Sequence, residues 1–370
     1  MTEAPARPRP AAPAGPAAAP SAPVEPAAPV VPAGGMRFSV DAWDPGYGTS
    51  LGEEELVESS APVVLDVEVP ESAWAPRDPA PGTAAPAAVL FVDGVRRVEG
   101  RAWIHDSVPT GERATSALPA LCASYASGVV CCCAAGAHLA VATVRRGTFT
   151  AAAHAADVRT SAGDYPVRRT RATDPVGLSL ALQRALGELE VESAAAARAQ
   201  LGDHPTGGHP GGHTGGHLAD GTDLLVVDGP LRGRQHLPRT LGFVKTHQSA
   251  YLPPRQHAMV GTLGPGQRTP VFLMGSSWDR HSWYLRLPGG PGAPWAGVVR
   301  VECGADMSAA EAIALADQSQ VTLRRFASAE FKDARAPQNL YPIAGLERAL
   351  RRRMGDPQLL YRALRRAAVN

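Results

Sequence analysis

Two short apolar runs in this chain each lead into an aspartate. The first run, in "VLFVDGVRR" (89–97), precedes Asp93 and Gly94. The second, in "DLLVVDGPLRGR" (223–234), precedes Asp228 and Gly229. Short apolar runs bounded by turn residues are typical of buried strands. A carboxylate just past such a strand is held on rigid backbone at the rim of a sheet. Two of these ends side by side would bring like charges together, which is costly unless a cation lies between them.

Carboxylates are hard ligands that suit Mg²⁺ or Mn²⁺, and paired divalent ions are a recurrent device for phosphodiester cleavage. Asp93 and Asp228 therefore predict a metal site, provided that their strands are neighbours. The alternative is that each Asp-Gly pair simply begins a turn, because it is among the commonest turn dipeptides. On spacing alone, the turn is the more frequent explanation.

The N-terminal region differs in composition from the rest of the chain. Residues 1–35 are almost entirely Ala and Pro, and we interpret them as a disordered tail because they offer little apolar surface to bury. A Pro-rich, acidic stretch follows, so residues 36–87 are interpreted as a partly ordered extension. Residues 88–370 are predicted to form one domain with a flexible His/Gly-rich insert at 202–217. The tail lacks the basic start and apolar stretch of an export signal.

The remaining pattern predicts a mixed α/β fold rather than a strict βαβ series. Residues 89–106 are interpreted as strand, glycine-containing turn and strand, and two more strands are expected in 127–152. A long helix is predicted from Asp174 and Pro175 to about Leu201, with leucines at helical spacing on one face. Strands are then expected at 223–227, in "LGFVKTH", "PVFLMGS", "SWYLRL" and "GVVRVEC", and helices at 308–319 and 344–366.

A third acidic ligand is expected from the long helix, which carries Glu188, Glu190 and Glu192. Glu190 and Glu192 lie on opposite flanks of the leucine face at similar angles, so periodicity does not choose between them. For any one of these glutamates, a solvated helix flank is the more frequent explanation.

With these residues in view, the chain resembles the NurA nuclease family. The resemblance rests on "VLFVDGVRR", "DLLVVDGPLRG" with "LGFVKTHQSAYL", "QRTPVFLMG" with "SWYLRL" and "WAGVVRVEC", and the closing "RAPQNLYPIAGLERALRRRMGD". It implies an RNase H-like mixed sheet flanked by helices, in a protein that forms a homodimer. It also implies that the protein cleaves DNA with two bound Mn²⁺ (or Mg²⁺) ions. It also implies processing of DNA ends in double-strand break repair, together with a HerA-type hexameric ATPase.

The resemblance also implies roles for particular residues. Asp93 and Asp228 match the two metal-binding aspartates, and the helix glutamate corresponds to Glu190, with Glu192 as the fallback. Glu347 stands where the family usually carries a histidine, and glutamate can also bind Mg²⁺ or Mn²⁺. Tyr341 is the nearest match to a tyrosine expected near this end, although a packed aromatic side chain at a helix start would explain it equally well.

Several basic residues fit the same interpretation. Lys245, in "GFVKTHQ" with His247, is predicted to follow a strand near the metal site, where a lysine can hold a scissile phosphate as a point charge. An ordinary surface lysine is an equally good explanation. Arg286 and Arg300 lie in predicted strands and need an anionic partner, which Glu302 would supply for Arg300 on structural grounds alone.

Other features invite a functional interpretation that composition does not favour. His204, His209, His213 and His217 lie among glycines, so gathering them on one metal would cost much ordering entropy. The three cysteines Cys131 to Cys133 are expected to pack in a strand. The apolar stretch 127–144 contains His138 and two glycines, and two packed strands explain it better than a membrane span.

We therefore predict a metal-dependent deoxyribonuclease that acts on DNA, without a membrane segment. A cytoplasmic, nucleoid-associated location follows only from the absence of signals and from the resemblance. Arginines crowd the last 23 residues and would neutralise the DNA backbone, although the net charge is only +1. The alternative is a NurA-like subunit with weakened catalysis that serves as a DNA-binding or ATPase-docking module, because the family histidine is missing.

Overall fold

The sheet at the centre of the fold contains ten strands. A computed structural model describes residues 57–105, 117–202, 223–234, 236–275, 278–290 and 292–368, all of which belong to one unit, Val40–Asn370. The strands are β1 (Val57–Glu58), β2 (Val63–Val64), β3 (Ala88–His105), β4 (Ala117–Cys133), β5 (Gly136–Thr150), β6 (Val158–Thr160), β7 (Gly163–Tyr165), β8 (Val167–Arg169), β9 (Asp223–Asp228), β10 (Thr240–Val244), β11 (Ser249–Ala250), β12 (Phe272–Met274), β13 (Arg280–Arg286) and β14 (Val298–Gly304).

The strand order in the large sheet is β2-β12-β13-β14-β10-β9-β3-β4-β5-β8, and β1-β11 and β6-β7 form two small separate pairs. The middle of the large sheet is parallel, because β9 runs parallel to both β3 and β10. Antiparallel pairs lie on either side, between β10 and β14 and between β3 and β4. The carboxyl ends of β9 and β10 therefore lie next to each other at the same end of the parallel strands, and β3 continues past them.

Helices cover both faces of this sheet. They are α1 (Pro175–Gly202), α2 (Pro254–Val260), α3 (Ala309–Leu323), α4 (Tyr341–Arg353) and α5 (Pro357–Ala367). On one face, α1 packs Leu178, Leu182, Leu186 and Leu189 against β4 and β5. On the other face, α3 and α4 cover Val89 and Phe91 of β3 and Val226 of β9. The prediction of a mixed α/β fold with helices flanking one sheet is confirmed.

The predicted α1 is also confirmed. The Asp174 carboxylate accepts hydrogen bonds from the backbone N–H groups of Val176 and Gly177, which would otherwise be unsatisfied in the first turn. The four leucines on one face are each at most 3% exposed. Burial of that face, more than intrinsic helix propensity, stabilises a helix of this kind.

The prediction of a turn at Gly94 is wrong. Residues 88–105 form a single continuous strand, β3, in which Asp93 and Gly94 pair with Gly128 and Ser127 of β4. Two-sided burial and the long partner strand hold Gly94 in extended conformation, so Asp93 lies within a strand and not past its end. Asp228 is the last residue of β9, and Gly229 after it has a φ of +102°, which favours glycine.

The single helix predicted over 344–366 is also wrong, because two helices cover this region. α4 ends at Arg353, and Gly355 has a φ of +86°, a left-handed conformation that terminates helices. Asp356 then caps α5 by accepting a hydrogen bond from the Leu359 N–H, and Pro357 occupies the first helical position.

Residues 57–87 contribute to the fold before β3 begins. β2 adds to the edge of the large sheet through β12, and Leu65 and Trp74 pack in a core cluster with Phe272 and Tyr284. The buried guanidinium of Arg268 binds Glu68 from this segment and Asp317 from α3. The predicted tail 1–35 and insert 202–217 lie outside the described residues, except for Gly202.

The apolar stretch 127–144 forms the β4–β5 hairpin, as the sequence predicts. Among the described residues, no helix is both long enough and apolar enough to cross a membrane.

Candidate metal centre

Asp93 and Asp228 lie side by side on parallel strands. The register of β3 and β9 pairs Val92 with Val227 as its last step, so the next residue on each strand is an aspartate. Side chains at matching positions of neighbouring strands point to the same face, and alternation places these two on the face that carries Phe91 and Val226. The two carboxylates therefore meet under α4, where β9 ends.

Glu347 reaches the same place from α4. This helix packs Leu346 and Leu350 against Val95 of β3, which positions the neighbouring Glu347 over the edge of the parallel strands. Asp93, Asp228 and Glu347 each offer a carboxylate oxygen, and these three atoms lie within 4.8 Å of one another. Three segments far apart in the sequence thus form one acidic cluster, which we call the carboxylate cluster.

The carboxylate cluster contains buried oxygen atoms that lack hydrogen-bond partners. Asp93 Oδ1 accepts a hydrogen bond from the Gly94 N–H at 2.7 Å, but Asp93 Oδ2 has no partner among the described residues. Asp228 Oδ1 is likewise buried and, within the same part of the chain, without a partner. A buried carboxylate oxygen with no donor is costly, and a bound cation would offset this cost.

The electrostatics around Asp93 also favour a bound cation. Burial, and then the negative charge of Asp228, raise the pKa of the Asp93 carboxyl well above its ordinary value, and Glu347 and Glu190 add to this increase. Lys245 acts in the opposite sense without cancelling it. A divalent cation would reverse this balance by favouring the ionised carboxylates.

Lys245 is the nearest cation to the aspartates that the described residues supply. Its Nζ donates to Asp228 Oδ2 at 2.7 Å and to Asn339 Oδ1 at 3.1 Å. Asn339 is buried, and its own amide donates to Asp333. Lys245 is therefore largely buried, with its ammonium group against the Asp228 carboxylate. The chain has only one other lysine, Lys332.

Arg335 holds Glu347 in place. Its Nη2 donates to Glu347 Oε1 at 3.0 Å and to Oε2 at 2.9 Å. Burial tends to lower the pKa of Arg335, but Glu347, Asp333 and Asp228 outweigh it, so the net shift is upward. Arg335 thus carries a permanent positive charge beside the carboxylate cluster.

Glu190 lies close to the carboxylate cluster but on the other face of the sheet. It projects from α1 toward Gly94, where a Cβ atom would come within 2.5 Å of Glu190 Oε1. Arg234, in the loop after β9, forms a short ion pair with Glu190 Oε2. Burial raises the pKa of Glu190, Arg234 opposes this, and Asp228 adds to the increase, so the charges on the two faces influence each other.

Besides Glu190, two other predicted site residues are not brought to the carboxylate cluster. Glu192 is exposed and forms a bidentate ion pair with Arg145, whose hydrogen bonds lower the pKa of Glu192. Tyr341 is the first residue of α4 and is 38% exposed, and its hydroxyl accepts a hydrogen bond from the Ala329 N–H. Tyr341 therefore joins a loop to the start of α4, with its side chain exposed and not packed in the core.

The other polar residues singled out in the sequence have structural partners. His247 is buried against Trp295 and bonded to the Val298 carbonyl oxygen, and burial lowers its pKa to about 4. Arg300 pairs with Glu302 at 2.7 Å, as predicted. Arg286 donates to backbone carbonyl oxygens, including that of Gly261. Cys131 to Cys133 pack in β4, as expected, and His204 to His217 lie outside the described residues.

Three residues of the site are not predicted from the sequence: Arg234, Arg335 and Asn339. Arg335 and Asn339 lie in the "RAPQNLYP" part of the closing motif, so the motif marks the segment but not the individual residues. Arg234 ends the "DGPLRGR" motif, and no local pattern distinguishes it from the neighbouring Arg232. Only the fold brings these side chains to the carboxylates.

The residues of the carboxylate cluster fit a hard divalent cation. All three offer oxygen, which Mg²⁺ and Mn²⁺ prefer, and two of them have a buried oxygen with no donor among the described residues. A surface cavity of about 340 Å³ opens beside them, and Asp228, Gly229, Lys245, Thr246 and Arg335 are among its lining residues. A cation held here would lie next to space for a substrate.

Comparisons with known proteins add a weak likeness of fold. No protein-family model matches the sequence, and no curated protein matches it. Among solved structures, the crystal structure of the NurA nuclease from Sulfolobus solfataricus aligns with 76% of this chain and 84% of its own. The sequence identity is 9% and the TM-score is 0.38.

Proposed function

We propose that this protein is a metal-dependent deoxyribonuclease that cleaves phosphodiester bonds at DNA ends. The observation that carries the proposal is the carboxylate cluster, in which Asp93 and Asp228 each keep a buried oxygen with no donor in the described part of the chain. Such an arrangement is unfavourable by itself and becomes favourable when a divalent cation is bound.

Asp93, Asp228 and Glu347 would hold Mn²⁺ or Mg²⁺. When bound, such a cation supplies Lewis-acid activation of a water molecule and of a phosphoryl oxygen. The chain's own contribution is a fixed set of oxygen donors on β3, β9 and α4, so little reorganisation is needed when the ion enters. Binding of a second ion is part of the proposal, and Glu190, from the α1 face of the sheet, would be a ligand to it if Arg234 released that carboxylate.

Lys245 and Arg335 would bind the phosphate. Both line the cavity beside the carboxylate cluster, and both already hold anionic oxygens there. A phosphodiester entering this cavity would offer its non-bridging oxygens to the Lys245 ammonium as a point charge and to the Arg335 guanidinium as a planar donor. The proposed substrate class thus follows from the charge and position of two neighbouring cations.

The exposed arginines of α4 and α5 would bind the rest of the DNA. All seven are solvent-exposed: Arg348, Arg351, Arg352, Arg353, Arg362, Arg365 and Arg366. Glu347 is the only acidic residue within the two helices, and it faces the carboxylate cluster. DNA binding is therefore expected to weaken as the salt concentration rises. On duplex DNA, the logarithm of the binding constant should fall against the logarithm of the salt concentration with a slope of about −0.9 for each phosphate neutralised.

The remaining parts of the proposal come from the sequence resemblance. They are a homodimer, a HerA-type hexameric ATPase as partner, a role in double-strand break repair and association with the nucleoid. Co-purification of the chain with such an ATPase, and the mass of the isolated protein in solution, would test the first two.

The test is digestion of end-labelled linear DNA, duplex and single-stranded, by the full chain in Mn²⁺, Mg²⁺ or EDTA. Asp93→Asn and Asp228→Asn are the site variants, and Asp164→Asn, at an exposed position on β7, is the matched control. We expect metal-dependent loss of label with the parent chain and the control only. Intact DNA in every reaction, including those with a cognate hexameric ATPase added, would overturn the proposal and favour the DNA-binding or docking subunit.

A further inference from the structure

A second group of metal-ligating side chains lies at the end of the β4–β5 hairpin, and it uses different chemistry from the carboxylate cluster. Cys131 and Cys133 are two residues apart on β4, and His138 on β5 is the register partner of Cys131. The two sulfur atoms and one imidazole nitrogen lie within 4.8 Å of one another. We propose that these three residues form a binding site for a borderline-soft divalent cation of the zinc type, and we call it the hairpin site.

The identity of the cation follows from the ligand atoms. Thiolate sulfur and imidazole nitrogen bind Zn²⁺ well, whereas Mg²⁺ and Mn²⁺ prefer carboxylate oxygen. Tetrahedral zinc has Zn–S distances of about 2.3 Å and Zn–N distances of about 2.0–2.1 Å, so its ligand atoms lie about 3.5–4 Å apart. The present spacing of at most 4.8 Å is near that value. A water molecule would complete the tetrahedron on the exposed His138 side.

The backbone of the hairpin fixes this arrangement. Cys131, Cys132 and Cys133 pair in register with His138, Ala137 and Gly136, and only two residues connect the strands. Gly136 has a φ of +97°, so glycine is the residue that suits this tight connection. Because the ligand backbone is already ordered, metal binding would cost little conformational entropy.

Alternation along β4 separates the ligands from the intervening cysteine. Cys131 and Cys133 pack on the face covered by α1, with Ala194 and Ala197, whereas Cys132 packs against the core on the opposite face. Cys132 is half-buried, like Cys133, and therefore offers a matched control that has the same residue type and a similar exposure.

The thiols must lose protons when the metal binds. Burial, and then the neighbouring Cys133, raise the pKa of the Cys131 thiol to about 12, so this thiol is protonated near neutral pH in the metal-free chain. Metal binding exchanges the cation for the protons that the thiols carry, and it forms two S–metal bonds and one N–metal bond. The weak Cys133 Sγ contact to the Gly136 carbonyl oxygen, at 3.9 Å, would be lost.

Cobalt titration of the reduced, metal-free full chain tests the proposal. His204, His209, His213 and His217 are first changed to alanine, because these residues can bind transition metals without any relation to the hairpin. Expected is one Co²⁺ per chain that gives a thiolate-to-cobalt charge-transfer band and the visible bands of a tetrahedral ion, whereas cobalt held by the oxygen ligands of the carboxylate cluster gives no thiolate band. Displacement of the thiolate-bound cobalt by Zn²⁺, with loss of the band, is also expected.

Three single variants distinguish binding at the hairpin site from cobalt binding elsewhere on the chain. His138→Ala removes an exposed ligand with little risk to folding, and Cys133→Ser removes a half-buried one. Each is expected to weaken binding by more than about 100-fold, since loss of an outer-shell partner alone costs about 10- to 100-fold. Cys132→Ser should leave both the affinity and the band unchanged.

Three outcomes would overturn the proposal. One is the absence of a thiolate-to-cobalt band, and another is a band that survives in both His138→Ala and Cys133→Ser. The third is binding seen only at millimolar cobalt and unaffected by the variants, which would mark an adventitious ion only. DNA cleavage is not among the readouts, so failure of the proposed nuclease function would leave this test intact.

Discussion

Asp93 and Asp228 occupy matching positions on the parallel strands β3 and β9, one step beyond the last register pair, Val92 and Val227. Each keeps one buried carboxylate oxygen without a donor among the described residues. Lys245 neutralises Asp228 directly, while the one donor that the described residues offer Asp93 is the backbone N–H of Gly94. Burial and the neighbouring Asp228 therefore raise the pKa of the Asp93 carboxyl, and a bound cation would oppose this increase.

Replacing Asp93 with asparagine should stabilise the metal-free protein while removing activity. The amide keeps the shape of the side chain, removes a like charge beside Asp228 and can donate to that carboxylate. In EDTA we expect an increase of about 0.5–2 kcal/mol in the free energy of unfolding, measured by denaturant titration. Saturating Mn²⁺ should stabilise the parent chain but not Asp93→Asn. A less stable variant in EDTA would show that the aspartate is satisfied without metal.

The same residue predicts the pH dependence of metal-free stability. The folded-state pKa of Asp93 is raised above the unfolded value of about 3.9, so between these two values the folded state binds the extra proton. Stability should therefore fall as pH rises from roughly 4 toward the folded pKa, and then level off. Urea titrations in EDTA check this by comparing the parent chain with Asp93→Asn. An unchanged slope in the variant would assign the effect to another group.

Changing Lys245 to methionine should destabilise the protein and reduce DNA cleavage. Methionine keeps most of the apolar stem but leaves Asp228 without its cation, and breaking a buried ion pair costs about 3–5 kcal/mol. Lys332→Met is the matched control, because Lys332 is the chain's other lysine and is exposed. Denaturant titration measures the decrease in the free energy of unfolding, and Mn²⁺ should partly reverse this decrease. Equal stability of the two variants would make Lys245 an ordinary surface residue.

Gly94→Ala should disturb the contact between β3 and α1. The added Cβ would lie 2.5 Å from Glu190 Oε1 and 2.6 Å from Leu186 Cδ1, and overpacking of this kind costs about 1–3 kcal/mol. Gly345→Ala is the control, since a Cβ there meets nothing within 4 Å and should stabilise α4 by about 0.5–1 kcal/mol. Thermal unfolding of both variants measures the contrast. A stable Gly94→Ala protein would mean that Glu190 moves freely.

Changing Glu347 to histidine should alter the preference for metal rather than abolish cleavage. Imidazole suits Mn²⁺ better than Mg²⁺, so the ratio of the cleavage rate in Mn²⁺ to that in Mg²⁺ should rise. Glu347→Gln keeps the shape but loses the charge, and should lower the rate with both ions. If all three forms cleave DNA equally with both ions, Glu347 does not contact the metal.

Much of the fold can be predicted from local patterns in the sequence. The leucine spacing over 178–189 and the Asp174 cap predict α1, and the apolar runs predict β9 and β14. The turn is predicted at Gly94 because glycine after aspartate favours a turn locally. That prediction is wrong because pairing with the long strand β4 and the close approach of Glu190 determine the conformation of Gly94. The helix end at Gly355 escapes prediction because the arginine-rich stretch 348–366 shows helical spacing on both sides of it.

The carboxylate cluster is predictable only in part. The apolar runs before Asp93 and Asp228 draw attention to these residues, but their proximity depends on a parallel strand pairing that no local pattern encodes. The choice between Glu190 and Glu192 is open on the helical wheel, and the ion pairs with Arg234 and Arg145 separate their environments. Arg335 and Asn339 come only from the fold, because an interaction between distant side chains leaves no spacing to detect.

The parallel pairing of β3 with β9 also limits the order in which parts of the fold can form during synthesis. The two strands, and α4 above them, are each separated by more than a hundred residues of sequence, and long-range pairings of this kind form late because long loops must close first. A ribosome-bound chain that has not yet released α4 lacks Glu347, so it cannot assemble the carboxylate cluster. The carboxylate cluster therefore cannot form before α4 has been synthesised and has left the ribosome.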